Sequence, residues 1–226
     1  MRKLATMALA IALVAGARTA HASVILVTTE SGITNDGLLD WGALGGNGAV
    51  VSNPFTTPVT GVAGLTITGS QDAGVDFNRM DQNVSWSGNF APGEELLWTT
   101  AAAGGPMDFV FNNPITGFGA QIQADFFGAF TASISAFDAS NTLLGTFSVN
   151  GNSTSSSDDS AIFIGILSTG QDISRIRLSV PTATANPEDF AINAPRIQAT
   201  STAPEPVTLL VFGLGLAGAA RRFRRR

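Results

Sequence analysis

The chain has 226 residues, with 12 basic and 17 acidic side chains, one histidine (His21), and neither cysteine nor tyrosine. Eight of the basic residues lie in the first 18 or the last six positions, so residues 23–203 carry four arginines, no lysine and 16 carboxylates, a net charge of −12. A surface this acidic repels nucleic-acid phosphates and anionic lipid headgroups, which excludes nucleic-acid binding.

The residue types missing from residues 23–203 exclude several kinds of catalytic and metal-binding site. His, Cys, Tyr and Lys are all absent there, which removes Ser-His-Asp and Cys-His catalytic arrangements, imidazole and thiolate metal sites and Schiff-base lysines. We therefore predict a protein that is not an enzyme, with no catalytic residues and no cofactor other than the calcium considered below. In the absence of disulfides the fold must depend on a hydrophobic core, and about 180 residues are enough to bury one.

The N-terminal segment has the three parts of a secretion signal. In order, they are a basic start, an apolar run and a small-x-small site: residues 1–3, residues 4–16 and Ala20-His21-Ala22. The apolar run is shorter than the roughly 20 residues of a membrane-spanning helix. We therefore predict that residues 1–22 are a signal peptide, which signal peptidase removes between Ala22 and Ser23.

The central part of the chain alternates apolar and polar residues with the period of a β-strand. Such runs occupy residues 107–111, 118–124, 130–136, 143–149 and 176–180. Each is predicted to be a half-buried strand, with one face on a core and the other in water. Residues 161–167 are continuously apolar except at Gly165, which predicts a central strand that is covered on both faces.

Turn signals separate the predicted strands, at residues 112–114, 138–141, 150–152 and 169–171. The glycine-rich first third predicts weaker strands within the same domain, residues 153–160 a polar loop, and residues 194–203 a last strand running into a linker. Many short strands with polar connections predict an all-β fold at residues 23–200. We expect an antiparallel β-sandwich of the jelly-roll type.

Residues 201–226 form a third region, which begins with a linker and the motif Pro204-Glu205-Pro206. An apolar stretch of 14 residues follows at positions 207–220, and five arginines lie in the last six positions. As a helix this stretch spans roughly 21 Å, which is short for a hydrocarbon core of about 30 Å. The arginines place the C-terminus in the cytoplasm and the domain on the outer side of the inner membrane.

This order of a short polar motif, an apolar helix and a basic tail resembles the PEP-CTERM sorting signal. The resemblance implies that an exosortase, a membrane transpeptidase-like enzyme, recognises Pro204, Glu205 and Pro206 and removes the tail. The expected route is an intermediate anchored transiently in the inner membrane, followed by the cell surface or the extracellular space. The alternative is an ordinary tail anchor that stays uncut.

Short segments inside the domain also resemble domains that commonly precede this signal. They are residues 40–42, 88–93, 117–122, 136–138, 163–165 and 189–192. Such domains look like carbohydrate-binding-module sandwiches. They usually have Asp-Asn or Asp-Asp after the final Phe-x-Ile, where this chain has Asn193-Ala194, so the resemblance does not carry a calcium site over to these positions.

Trp86 is the candidate ligand-binding residue, as a platform on which a sugar ring would stack. Asn83 and Asn89, together with Ser85 and Ser87, surround it in sequence with hydrogen-bonding groups suited to sugar hydroxyls. The alternative is that all three tryptophans of the chain are core residues, as large aromatic side chains usually are.

Four groups of charged residues could take part in other chemistry. The pairs Asp158-Asp159 and Asp72/Asp76 are candidate Ca²⁺ ligands, with solvated loop aspartates as the favoured alternative. Glu94-Glu95 with Asp125 would be the carboxylate pair of a glycosidase, although adjacent strand residues point to opposite faces. Arg175 and Arg177 share one face of a strand, where we expect them to pair with local carboxylates.

These observations favour a non-enzymatic, exported surface or extracellular-matrix protein of the biofilm type that associates with exopolysaccharide. Two alternatives stay open at this point. One is a carboxylate-based hydrolase of glycans, and the other is a structural surface protein without a ligand.

Overall fold

A computed structural model describes residues 23–72, 74–100 and 104–199. These residues form 15 strands and two short 3₁₀ turns, at Glu30–Gly32 and Trp41–Leu44. The strands make two sheets whose inner faces enclose the main apolar core. The predicted all-β, antiparallel sandwich is therefore confirmed, whereas the predicted signal peptide and C-terminal helix lie outside the described residues.

The strands are, in chain order, β1 (Val24–Val27), β2 (Gly37–Leu38), β3 (Val50–Val51), β4 (Phe55–Pro58), β5 (Thr66–Gln71), β6 (Phe77–Asp81), β7 (Glu95–Trp98), β8 (Met107–Ile115), β9 (Gly117–Ala124), β10 (Gly128–Phe137), β11 (Leu143–Ser153), β12 (Ile162–Ser168), β13 (Ile173–Ala183), β14 (Phe190–Ile192) and β15 (Arg196–Gln198). Sheet A has the order β1-β12-β9-β14-β7-β6-β3, and β15, which pairs with β2, also pairs with β9. Sheet B has the order β11-β10-β13-β8-β5-β4.

Strands β7 to β14 form a jelly roll. Their order is β7-β14-β9-β12 in sheet A and β8-β13-β10-β11 in sheet B. Consecutive strands therefore cross from one sheet to the other, except at the β10–β11 hairpin, which is the eight-stranded connectivity of that fold. The first six strands extend the two sheets at their edges or pair with β15, so the glycine-rich first third belongs to the same domain.

The alternating strands differ in how completely they are covered. In β10 and β13 alternate residues are buried, as predicted, because only one face packs on the core. Both faces of β9 are buried along its whole length, so its prediction as a half-buried strand is wrong. The outer face of β9 is covered by residues 82–94 and by the loop at residues 153–160. Leu143, at the start of β11, is 54% exposed, whereas the alternation in residues 143–149 predicts a buried side chain at this position.

Three phenylalanine rings lie over glycines on neighbouring strands. Phe55 is directly opposite Gly69, and Phe130 is directly opposite Gly151. A Cβ atom added to Gly69 would come within 2.4 Å of the Phe55 ring, and one added to Gly151 would meet Phe130 at the same distance. Gly119 and the Phe163 ring repeat the arrangement in sheet A. Because glycine has no side chain, the phenylalanine ring can pack directly over it. This pairing is known to offset the poor strand propensity of glycine.

We expect Gly69→Ala to lower the free energy of unfolding by about 1–3 kcal/mol, since the added methyl group displaces a packed ring. Alanine would otherwise favour a strand over glycine, so the sign of the effect separates packing from propensity. Gly46→Ala is the control, because nothing lies within 4 Å of a Cβ at that position. Urea unfolding of both variants measures the difference. Equal stabilities would contradict the packing of the Phe55 ring over Gly69.

Candidate functional site

The 82–94 segment lies on the outer face of sheet A, over a second apolar cluster. That cluster consists of Trp86, Phe90, Leu96, Ala161 and Ala191, with Met80 and Trp98 packed against it. Trp86 is 4% exposed, and its ring meets that of Trp98 edge to face with centroids 5.9 Å apart. The indole is therefore covered by protein on this face.

A tight turn folds Trp86 back onto the sheet. The Asp81 carbonyl accepts N–H bonds from Val84, Ser85 and Trp86, at 3.1, 3.1 and 3.0 Å. Asn83 completes the turn in the left-handed region, with φ of 67°, a conformation that asparagine tolerates well. The turn leaves the side chains on either side of Trp86 in solvent.

A layer of buried amide side chains lies beside this cluster. Asn89 is 3% exposed, and its Nδ2 donates to Thr154 Oγ1 and Ser160 Oγ at 2.7 and 2.8 Å. The Asn89 N–H donates to Gln123 Oε1 at 2.6 Å, and Gln123 Nε2 donates to Ser153 Oγ at 2.6 Å. Through these bonds β9 holds both the 82–94 segment and the 153–160 loop.

Asn193 is the second centre of this polar layer. Its Nδ2 donates to Gln121 Oε1 at 2.7 Å and to Glu94 Oε1 at 3.0 Å, and its Oδ1 accepts the Gln121 N–H at 2.9 Å. Gln121 Nε2 donates to Asp159 Oδ1 at 2.8 Å. Burial raises the pKa of Glu94, against the effect of its bonds from Asn193 and Ala91. The Asn193 amide thus lies between two hydrogen-bond acceptors, the Glu94 carboxylate and the Gln121 side-chain carbonyl, and donates to both.

An open concavity of about 300 Å³ lies at the turn. Its lining residues are Asn83, Val84, Ser85, Trp86 and Ser87. All except Trp86 are exposed, so the groups offered to a ligand are amide and hydroxyl groups and one apolar side chain. Within the described residues, the buried Trp86 Nε1 and Gln82 Oε1 have no hydrogen-bond partner.

The three residues predicted to bind a ligand have different positions in the structure. Asn83 is exposed beside the concavity, where its Oδ1 accepts bonds from Gln82 Nε2 and Ser157 Oγ. Trp86 presents no open ring face for a sugar to stack on, and the Asn89 side chain is fully engaged with the 153–160 loop. Ligand binding therefore remains a prediction for the turn, with Trp86 in the wall of the concavity.

The three carboxylates predicted as candidates for a glycosidase pair, Glu94, Glu95 and Asp125, have different surroundings in the structure. Glu95 bonds the buried Arg79, whereas Glu94 lies on the outer face with Asn193, so the adjacent glutamates do point apart. Asp125 follows β9 and is half-buried, and its N–H donates to the Asp189 carbonyl at 3.0 Å. Burial raises the pKa of Asp125, and the Asp189 carboxylate raises it further.

The candidate calcium ligands are engaged in separate contacts. Asp158 Oδ1 accepts the Ser160 N–H at 3.2 Å and its hydroxyl at 2.5 Å, while Asp159 bonds Gln121. In the other pair, Asp72 contacts Arg177 at 3.1 Å and Asp76 accepts the Asn53 N–H at 3.0 Å. Over residues 23–199, apart from positions 73 and 101–103, no group of three His, Cys, Asp or Glu side chains is placed to hold a metal ion.

The expected pairing of two arginines with a local carboxylate is observed on the outer face of sheet B. Asp108 accepts from Arg175 Nη1 at 2.6 Å and from Arg177 Nε at 3.0 and 3.1 Å. The hydrogen bond to Asp108 raises the pKa of Arg177.

Sequence reasoning missed the buried role of Gln121, Gln123 and Asn193. The outward positions of β9 are Gly119, Gln121 and Gln123, without a charge among them. A strand open to water would ordinarily carry charged side chains there. The absence of charge at these positions is therefore the feature of the sequence that indicates a covered outer face.

The predicted sorting residues Pro204, Glu205 and Pro206, and the predicted cleavage-site residues Ala20 and Ala22, lie outside the described residues, which begin at Ser23. The described segments contain no helix long and apolar enough to cross a membrane. Cleavage of the signal peptide and the short anchoring helix therefore remain predictions.

Comparison with known proteins identifies the C-terminal region. A family model of the PEP-CTERM protein-sorting motif matches residues 202–226, which marks the chain for exosortase-dependent export. A search of the curated proteins found no match.

Two solved structures show distant similarity. One is CsCBM6-3 from Clostridium stercorarium in complex with cellobiose, with 15% identity, 58% of this chain and 93% of that chain covered, and a TM-score of 0.28. The other is a DUF4465 family protein from Bacteroides caccae, with 11% identity, coverage of 76% and 99%, and a TM-score of 0.29. At these TM-scores neither similarity carries an argument about function.

Asn193→Asp tests whether the buried amide layer holds the site together. The substitution keeps the side-chain shape but removes both N–H donors and places a carboxylate against Glu94. We expect a loss of about 2–4 kcal/mol in unfolding free energy at pH 7. Protonation removes the repulsion, so the loss shrinks as the pH falls through about 4–5.

Urea unfolding at pH 7 and pH 4 provides the measurement. Asn186→Asp is the control, since Asn186 is exposed and an Asp there is expected to change stability by no more than about 0.5 kcal/mol. The role of the amide layer would be refuted by equal stability of the two variants at pH 7.

Proposed function

We propose that this exported protein is a non-enzymatic component of the cell surface or extracellular matrix, which binds neutral exopolysaccharide at the turn of residues 83–87. The concavity of about 300 Å³ at that turn carries the proposal. It is lined by exposed amide and hydroxyl groups of Asn83, Ser85 and Ser87, which can both donate and accept hydrogen bonds as sugar hydroxyls do. The Ser85 hydroxyl also donates to Asn47 Oδ1 and accepts the Asp81 N–H. The sorting motif supports export of the domain, which a role in binding extracellular polymers requires.

The net charge of residues 23–203 selects the class of polymer. At −12, the domain repels an acidic polysaccharide at low ionic strength. The lining of the concavity has no charged side chain. We therefore assign a neutral polymer, whose hydroxyls are neither repelled by the carboxylates nor dependent on them.

Val84→Asp is expected to abolish retention, because it brings a hydrated carboxylate into the concavity. Val84 is exposed, so the fold is unaffected. Val110→Asp is the matched control: Val110 is also an exposed valine, on the outer face of sheet B. Native electrophoresis through gels containing dextran, glucomannan or alginate measures binding as a loss of mobility.

The expected pattern is retardation of the parent chain and of Val110→Asp by a neutral polymer, and none for Val84→Asp. Failure of every neutral polymer to retard the parent chain would contradict the proposal and favour a structural protein without a ligand. Equal retardation of the two variants would show that the polymer does not bind at the turn.

A carboxylate-based glycan hydrolase is the second candidate, and the pair Asp125 and Asp189 is the observation in its favour. A general acid requires a raised pKa, which Asp125 has. Asp189 is a poor second carboxylate, since it is buried and its Oδ1 accepts the Trp98 Nε1–H at 2.7 Å. For this reason the hydrolase stands second.

Asp125→Asn separates the two candidates. If the protein is a hydrolase, the substitution lowers release of reducing sugar by at least about 100-fold. The fold is expected to survive, because a carboxyl with a raised pKa destabilises the folded state above its ordinary titration range. The variant is thus more stable than the parent at pH 7, and the gain vanishes below about pH 4. An inactive parent chain rules the hydrolase out.

A further inference from the structure

Strand β11 is a long edge of sheet B. It has 11 residues, Leu143–Ser153, and pairs with β10 on one side only. No strand within the described residues pairs with its other side. At about 3.3 Å per residue this edge is roughly 33 Å long, and alternate residues turn their N–H and C=O groups away from β10.

The edge lacks three features that normally prevent strands from pairing between molecules: short length, charged side chains (lysine above all) and proline. A fourth such feature, a register shift of the β-bulge kind, is confined to the start of β11, where Leu143 and Gly145 pair with consecutive residues of β10. β11 carries no charged residue and no proline, and residues 23–203 contain no lysine. The opposite edge of sheet B, β4, has four residues and ends in Pro58, and the outer strands of sheet A, β1 and β3, have four and two.

The apolar core is incompletely covered on this side of the sandwich. Leu144, Phe147 and Val149 of β11 pack on the core but are only partly buried, and so are two residues of β1. Leu143, at the start of β11, is 54% exposed. Further burial of these side chains would be favourable, by about 25 cal/mol per Å² of apolar surface.

This side is also the least charged part of an acidic domain. Between positions 126 and 157 there is one charged residue, Asp138, in the β10–β11 turn. Its carboxylate accepts the N–H groups of Ser140 and Thr142, both at 2.8 Å. Two copies of a domain with a net charge of −12 can therefore approach here without bringing carboxylates together.

From these observations we propose that β11 is an interface between two copies of this chain. The two strands pair antiparallel about a two-fold axis and join both copies of sheet B into one sheet of twelve strands. Antiparallel pairing of a strand with itself is self-complementary, as a two-fold interface requires. The partner then presents the same neutral, partly apolar edge. The inference is independent of the polysaccharide site, which lies on sheet A.

Single cysteines test the register, because the full chain contains none of its own. Thr146→Cys, Ser148→Cys and Asn150→Cys place a thiol along the exposed face of β11, and Thr56→Cys does so on β4 as the matched control. Mild oxidation of the full chain in detergent is expected to give a disulfide-linked dimer for the β11 position nearest the axis. Absence of a dimer at all three positions, or an equal yield from Thr56→Cys, overturns the interface.

Sedimentation velocity measures the association directly. Ser148→Asp places two carboxylates across the paired strands, and we expect it to weaken dimerisation by at least about tenfold. Thr56→Asp, which adds the same charge on β4, is expected to leave the dimer unchanged. Salt should strengthen the parent dimer, because it screens the repulsion between two acidic domains. A parent chain that stays monomeric at high salt overturns the proposal.

Hydrogen exchange distinguishes a second copy from another occupant of the edge. Amides of β11 that are protected in proportion to the dimer fraction support the proposal. Protection that persists in monomer at low concentration assigns the edge to another segment of the same chain, and overturns it.

Discussion

The covering of β9 on both faces is the constraint on which the rest of the fold depends. A central strand whose inner side chains fill the core would ordinarily leave its outer side chains in water. Here the outward residues Gln121 and Gln123 are buried, and each unpaired amide would cost about 1–3 kcal/mol. Their hydrogen bonds to Asn193, Asn89 and the 153–160 loop remove that cost. The same bonds position the turn that forms the concavity.

Much of the sandwich could be predicted from local alternation, and β9 shows where that inference ends. The pattern in residues 130–136 and in residues 118–124 is the same, yet one strand is half-buried and the other is fully buried. Alternation reports which side chains point together. Whether the second face meets water or another segment depends on contacts distant in sequence, such as that between Asn89 and Thr154.

The candidate site shows the same division between local and distant information. The polar neighbours Ser85 and Ser87 predicted an open surface, and those side chains are indeed exposed. Trp86 points the other way, because three N–H bonds to the Asp81 carbonyl turn its ring onto Trp98. The exposed polar groups at the turn could therefore be predicted from the sequence. The direction of the Trp86 ring could not, because it depends on contact with Trp98 on a neighbouring strand.

The place of β15 in sheet A has a mechanical consequence. This last described strand does not lie at the rim: it pairs with the central strand β9 on one side and with β2 on the other. The Gln198 carbonyl accepts the Thr116 N–H at 2.8 Å, and the Ala199 N–H donates to Asp36 Oδ2 at 3.0 Å. A pull on the chain beyond residue 199 therefore loads these bonds in the middle of the sheet. A protein tethered through its C-terminus thereby bears tension on a strand that is hydrogen-bonded to a neighbour on both sides.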